Sequence, residues 1–185
     1  MVRTTTRRTR TDVEALAAIV SGEAAERKTR LCSHGWARST DDGAFALTDT
    51  GRQIGAIASG LIDRNDFEAT IDLMGLADFV DAALAVDPVD AEAYFAGIRT
   101  VDAIVDDVIS TTGYADKVDD YDPSPSWSFD ARRGRVEVGF DDKTTASNFR
   151  AAAPDRFDVT KKHDERFKRN RNPRRFVVDV MGSDE

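Results

Sequence analysis

Hydrophobic positions along this chain change their spacing more than once, and each change marks an element. Residues 1–10 (MVRTTTRRTR) have no apolar periodicity and read as an extended arm. From Thr11 or Asp12 onward, Val13, Leu16, Ala17 and Val20 recur at helical spacing, which predicts a first helix stopping near Gly22. A second helical stretch is expected from Glu23 to about His34. Trp36 to Thr48 then holds two short alternating runs around Asp41-Asp42-Gly43, a hairpin signal. Thr48 or Asp49 can cap the next helix, GRQIGAIASGLI, whose Gly51, Gly55, Ser59 and Gly60 lower helix propensity but admit a close neighbour.

The middle of the chain repeats the helical pattern more strongly. Asn65 followed by Glu68 approximates a capping box ahead of Phe67, Ile71 and Met74. Gly75 interrupts, and Leu76, Phe79, Val80, Ala83 and Leu84 restart the stripe. Asp87-Pro88 reads as an N-cap with proline in the first turn. It opens the strongest element, in which Tyr94, Phe95, Ile98, Val101, Ile104, Val105, Val108 and Ile109 mark one face, Asp102, Asp106 and Asp107 point to water, and Gly113 closes the helix.

Residues 114–125 carry acids and two prolines and read as a linker, after which the period falls to two. Trp127 and Phe129, then Val136, Val138 and Phe140, alternate around DARRG as a hairpin, and residues 176–181 (FVVDVM) supply a third strand. The fold class expected is α+β: a mainly α-helical body over residues 11–113, a small antiparallel β module over 126–181 with a basic segment at 161–175, extended basic arms, and a tail at 182–185. No internal repeat is visible.

Composition adds a second layer, because charge is sorted by position. Residues 41–130 hold twenty acids, all Asp but Glu68 and Glu92, against Arg52, Arg64, Arg99 and Lys117, a local net charge of −16. The ends are basic: Arg3, Arg7, Arg8 and Arg10 at the start, and nine Arg or Lys against three acids over residues 156–175. The chain as a whole has a net charge of −8, and its acids are overwhelmingly Asp and its bases overwhelmingly Arg. That balance resembles proteins of a high-salt cytoplasm, where the Debye length shrinks to about 3 Å in molar salt and cations act through direct contact. An acidic body with basic ends is suited to touching something at those ends.

Candidate chemistry is sparse. Cys32 and His34 offer two metal ligands where a tetrahedral zinc needs four, or three and a water, so the thiol is expected to be buried or idle. Asp116, Asp119, Asp120 and Asp122 lack calcium-loop spacing and read as a solvated linker. No phosphate-cradling glycine loop is present, and with His34 and His163 the only histidines, acid–base constellations are hard to build. The reading is therefore of a protein that is not an enzyme and has no cofactor or metal. A lone cysteine leaves no internal disulfide framework. No apolar run approaches the roughly 18–20 residues of a membrane span, and the Arg-rich start lacks a secretory signal's apolar stretch, so an intracellular protein with no membrane partner is expected.

Two stretches resemble known families. Residues 88–114 (PVDAEAYFAGIRTVDAIVDDVISTTGY) look like the helix of head-tail adaptor proteins of tailed viruses, with Ile98, Val101, Val105, Thr112 and Gly113 in the matching places. That resemblance implies a subunit packed into a ring, incorporated in a virion assembled in the host cytoplasm. Residues 12–52 are similar to winged-helix regulators, with EAAERKTRLCSH in the place of a recognition helix and GWARSTDDGAFALTDTGR as the wing. This second resemblance implies that Arg27, Lys28, Arg30 and Arg38 face DNA in a cytoplasmic regulator.

The leading expectation is an assembly protein, a head-tail connector component of a tailed virus infecting a halophilic archaeon. Its packing helix is the Tyr94 to Ile109 stripe, and its partners are copies of itself in a ring and acidic neighbouring subunits, with nucleic acid a further candidate. Partner contacts are assigned to the basic arms: Arg3, Arg7, Arg8 and Arg10, and Lys161, Lys162, Arg166, Lys168, Arg169, Arg171, Arg174 and Arg175. Steep salt dependence of phosphate binding favours a protein partner over nucleic acid.

Overall fold

A computed structural model describes residues 2–23, 27–41, 43–113, 125–140, 142–161 and 175–181 of the chain. Among these residues the fold is α+β, with seven helices and two small antiparallel sheets. The chain divides between Glu92 and Ala93 into two units.

The first unit begins with α1 (Val2–Val20), so the backbone expected to be an extended arm is helical from Val2. The reason is cooperativity: Val13, Leu16 and Ala17 are buried and nucleate the helix, and each Thr or Arg added before them gains a backbone bond without a new nucleus. Gly22, at φ +89°, ends it. The stretch expected to be helical from Glu23 starts only at Lys28, as α2 (Lys28–Ser33), with Arg27 non-helical ahead of it.

The hairpin forms where the alternation placed it. β1 (Ala37–Ser39) pairs with β2 (Phe45–Leu47), Arg38 opposite Ala46, and Gly43 takes the left-handed conformation in the turn. Thr48 caps α3 (Asp49–Asp63): its Oγ1 accepts from the Gly51 amide at 3.2 Å and donates to the Gly35 carbonyl at 2.9 Å. The glycines of α3 do admit a close neighbour. A Cβ at Gly51 would collide with the Trp36 carbonyl, and one at Gly55 would stand 2.9 Å from the Leu16 carbonyl oxygen of α1.

α4 (Phe67–Met74) and α5 (Leu76–Ala85) complete this core with Phe67, Ile71 and Phe79. The capping box expected from Asn65 and Glu68 is absent. Asn65 adopts φ +61°, a left-handed residue closing α3, with its amide donating to the Ile62 carbonyl at 2.9 Å. Glu68 turns to Arg10 instead. Asp87-Pro88 likewise does not start a helix. Asp87 Oδ1 accepts from the Val89 amide at 3.0 Å, which makes a local turn, and the long helix begins at Ala91.

The second unit contains α6 (Ala91–Thr112) from Ala93 onward, β3 (Ser126–Asp130), β4 (Arg135–Gly139), α7 (Lys143–Ala152), β5 (Asp158–Lys161) and β6 (Arg175–Asp179). α6 thus belongs with the strands, which moves the boundary expected near residue 113 back to 92/93. Gly97 is the reason: a Cβ there would lie 2.6 Å from Val180 Cβ and 2.7 Å from its carbonyl oxygen, so the helix and the end of the last strand touch at a glycine. The expected linker, residues 114–125, falls outside the described residues except Pro125.

The sheet has four strands in the order β3-β4-β6-β5, all antiparallel, one more than expected. Its register aligns Phe129, Val136, Val178 and Val159 in one row and Trp127, Val138, Phe176 and Lys161 in the next, so apolar side chains share one face. The opposite face carries Ser128, Glu137, Val177 and Thr160. α7 was not anticipated, because KTTASNFRAA has weak propensity; Asp142 initiates it by accepting from the Thr145 amide at 2.8 Å and the Thr145 hydroxyl at 2.9 Å. Phe149 anchors it on Phe140 and Phe176, with ring centroids 5.2 and 5.6 Å apart.

Candidate functional site

Arginines expected to contact DNA converge on one buried carboxylate. Arg27, Arg30 and His34 stand three and four residues apart, which places them on one side of the α2 segment. Asp12 is wholly buried on α1. Arg27 Nη1 donates to its Oδ1 at 2.9 Å, Arg30 Nε donates to Oδ2 at 2.9 Å, and His34 Nε2 stands 3.2 Å from Oδ2. Burial by itself raises the Asp12 pKa, but hydrogen bonds from Arg27, His34 and Arg30 outweigh it and hold the carboxyl below its ordinary value. The His34 ring lies against Trp36 at 4.6 Å. These groups pin α2 to α1. That arrangement differs from a recognition helix, whose basic side chains must point away from the core.

The two other residues of that set remain outward. Lys28 lies 5.6 Å over the Phe45 ring of the hairpin, and Arg38 is exposed on β1. Of the N-terminal basic residues, Arg3, Arg7 and Arg8 lie on α1. Arg10 does not act as an arm residue: it pairs with Glu68, reaches Glu14 and Asp72 at 3.7 Å, and sits 6.0 Å over the Phe67 ring. At the C-terminal side, Lys161 and Arg175 are exposed strand residues at one end of the sheet. Lys162, Arg166, Lys168, Arg169, Arg171 and Arg174 lie outside the described residues.

The packing helix faces the core of its own unit. Tyr94, Phe95, Ile98, Val101, Val105 and Val108 of α6 are buried, and Ile104 and Ile109 half-buried. On its outer side Asp106 and Asp107 are exposed and make no ion pair among the described residues. Asp102, expected to face water, is partly buried and paired with Arg99; burial raises its pKa above the ordinary value more than Arg99 lowers it. The Tyr94 hydroxyl is buried without a hydrogen-bond partner among the described residues, and burial followed by the Asp130 charge pushes its pKa up.

Topology adds a feature that alternation did not reveal. Trp127 and Phe129 lie on β3, an outer strand, and their rings stack nearly parallel with centroids 6.2 Å apart while both stay half-exposed. Their spacing showed that they share a face; only the strand order shows that this face ends at an edge. Chemistry among the described residues is otherwise sparse. Cys32 is exposed, and among the described residues no group of three His, Cys, Asp or Glu is placed to hold a metal ion and no helix is long and apolar enough to cross a membrane.

Comparison with known proteins adds no relative: no protein-family model, no curated protein and no solved structure matches this chain.

Proposed function

We propose that the chain is a non-enzymatic assembly protein that associates with copies of itself in a symmetric complex, most concretely a head-tail connector component in the virion of a tailed virus of a halophilic archaeon. The observation that carries this reading is the two-sided character of α6. One side is the apolar core of its unit, while Asp106 and Asp107 on the other are exposed carboxylates without a described partner. Basic sequence complementary to such a surface is concentrated at residues 161–175. Contacts between Arg forks and carboxylates survive high salt when they are direct and desolvated, which long-range attraction does not. Light scattering in molar potassium chloride tests it. Wild-type protein is expected as a particle of several subunits, and Asp106→Lys with Asp107→Lys is expected to shift it toward monomer.

The winged-helix reading draws support from the β1–β2 hairpin with its exposed Arg38. Arg27 and Arg30 no longer serve it, since Asp12 occupies them. A stable dimer that retards one specific duplex, and loses that property in Arg38→Ala, would replace the assembly reading with this one.

A further inference from the structure

We propose that copies of this chain join by adding the outer strand β3 of one subunit to the outer strand β5 of the next, head to tail, so that one sheet continues across the interface. This deepens the assembly reading and rests on it. β3 and β5 are the two edges of the sheet, and among the described residues neither pairs outward. An unpaired edge presents a row of amides and carbonyls that a second strand satisfies.

Direction, chemistry and charge all favour β5 as the partner of β3. Within the sheet β3 pairs antiparallel to β4, β4 to β6 and β6 to β5, so β3 and β5 run in opposite senses. A copy placed in continuation therefore meets β5 antiparallel, with its apolar face on the same side. Trp127 and Phe129 on one edge and Val159 on the other share that face and are each half-exposed, so pairing covers all three. Ser126 and Lys161 lie at the same end of the sheet. The sequence before Ser126 is acidic, with Asp116, Asp119, Asp120 and Asp122, and the sequence after Lys161 is basic, with Lys162, Arg166, Lys168 and Arg169. Head-to-tail addition joins an edge preceded by acidic sequence to an edge followed by basic sequence, whereas β3 against β3 joins two edges that both follow acidic sequence.

Register follows from charge and pleat. Extending the existing rows unchanged would set Asp130 opposite Asp158 of the neighbour, since both lie in the row of Arg135 and Asp179. A slip of one residue turns the apolar face over. A slip of two keeps the faces, sets Trp127 opposite Val159 and Ser126 opposite Thr160, and puts Ser128 rather than Asp130 opposite Asp158. A heterologous contact of this kind closes into a ring when the rotation permits.

Cysteine cross-linking in the full chain tests the arrangement. In a Cys32→Ser background, Ser126→Cys with Thr160→Cys places thiols opposite one another between copies. Within one copy they are separated by three strand spacings of about 4.8 Å each, too far for a disulfide. Oxidation in molar potassium chloride is expected to give a ladder of covalent multimers, with neither single cysteine giving one. Trp127→Lys and Val159→Lys, at half-exposed positions, are expected to raise the concentration for half-assembly at least about tenfold, with the circular dichroism of the folded chain retained. Covalent dimers from Ser128→Cys alone in the same background, at the centre of β3 where an antiparallel β3 pair sets the residue opposite itself, overturn the head-to-tail arrangement. Assembly without a ladder, and with Trp127→Lys neutral, overturns edge pairing and leaves the assembly reading standing. A wild-type chain monomeric at its highest soluble concentration overturns both.

Discussion

The two units are tied together internally by different means. In residues 1–92 ion pairs join elements distant in sequence: Arg27 and Arg30 to Asp12, Arg10 to Glu68, and Arg64 to Glu92 at 2.6 Å. Among the described residues of 93–185 the corresponding pairs are local or follow the sheet. Arg99 with Asp102 and Arg133 with Asp130 are three residues apart, and Arg135 with Asp179 are register partners on neighbouring strands. Long-range order there comes from backbone pairing over an apolar face. The lesson concerns what each solution leaves exposed. A short helix such as α2 buries Leu31 and little else, so a buried carboxylate fixes its position and consumes its cations. A sheet needs no such device, and it ends in two edges.

Each unit holds one of the two tryptophans, Trp36 or Trp127, so single-tryptophan variants allow the contrast to be broken unit by unit. The largest effects are expected where helices meet backbone at a glycine. Gly51→Ala drives a methyl into the Trp36 carbonyl, and Gly97→Ala drives one into Val180. Each should cost about 3 kcal/mol or more in its own unit by urea unfolding, because a backbone neighbour cannot rotate away.

Next comes the carboxylate that organises the first unit. Asp12→Ala leaves two guanidinium groups without their buried partner. The cost expected is roughly 2 kcal/mol, below that of a fully buried pair because both arginines reach solvent. Acid separates the units further. The Asp12 pKa is lowered on folding, so its stabilisation is complete above the unfolded value of 3.8 and is lost as pH falls through the lower folded value. The Asp102 pKa is raised, so the folded second unit binds more protons and gains stability as pH falls toward 3.8. Unfolding followed from pH 6 down to 3 should therefore show Asp12→Asn flattening the acid loss in the first unit and Asp102→Asn removing an opposite slope in the second. If both variants change the slopes in the same direction, the contrast fails. Thr48→Ala, removing the cap of α3, should cost about 1 kcal/mol and act on the first unit alone.

Much of the local structure was legible in residue spacing. The Asp41-Asp42-Gly43 hairpin, the Thr48 cap and the alternation around DARRG all lie where turn chemistry and period place them, since each signal is a short-range steric or hydrogen-bonding preference. Failures occurred where a side chain had a stronger distant partner. Glu68 leaves its expected cap for Arg10, and Arg27 and Arg30 turn their guanidinium groups to Asp12; none of these partners is within a helical turn. α7 was missed because its stability lies in Phe149 against Phe140 and Phe176 rather than in propensity.

By itself the sequence determined the α+β class, the stripe of α6, the apolar face of the sheet and the sorting of acidic and basic residues, because periodicity and composition are properties of the chain before it folds. Tertiary structure alone decided which cations are used internally, that α6 packs with the strands, and which strands lie at the edges. Those outcomes depend on which distant groups can satisfy a buried charge, admit a close backbone or pair a strand, and spacing along one chain carries no record of that competition.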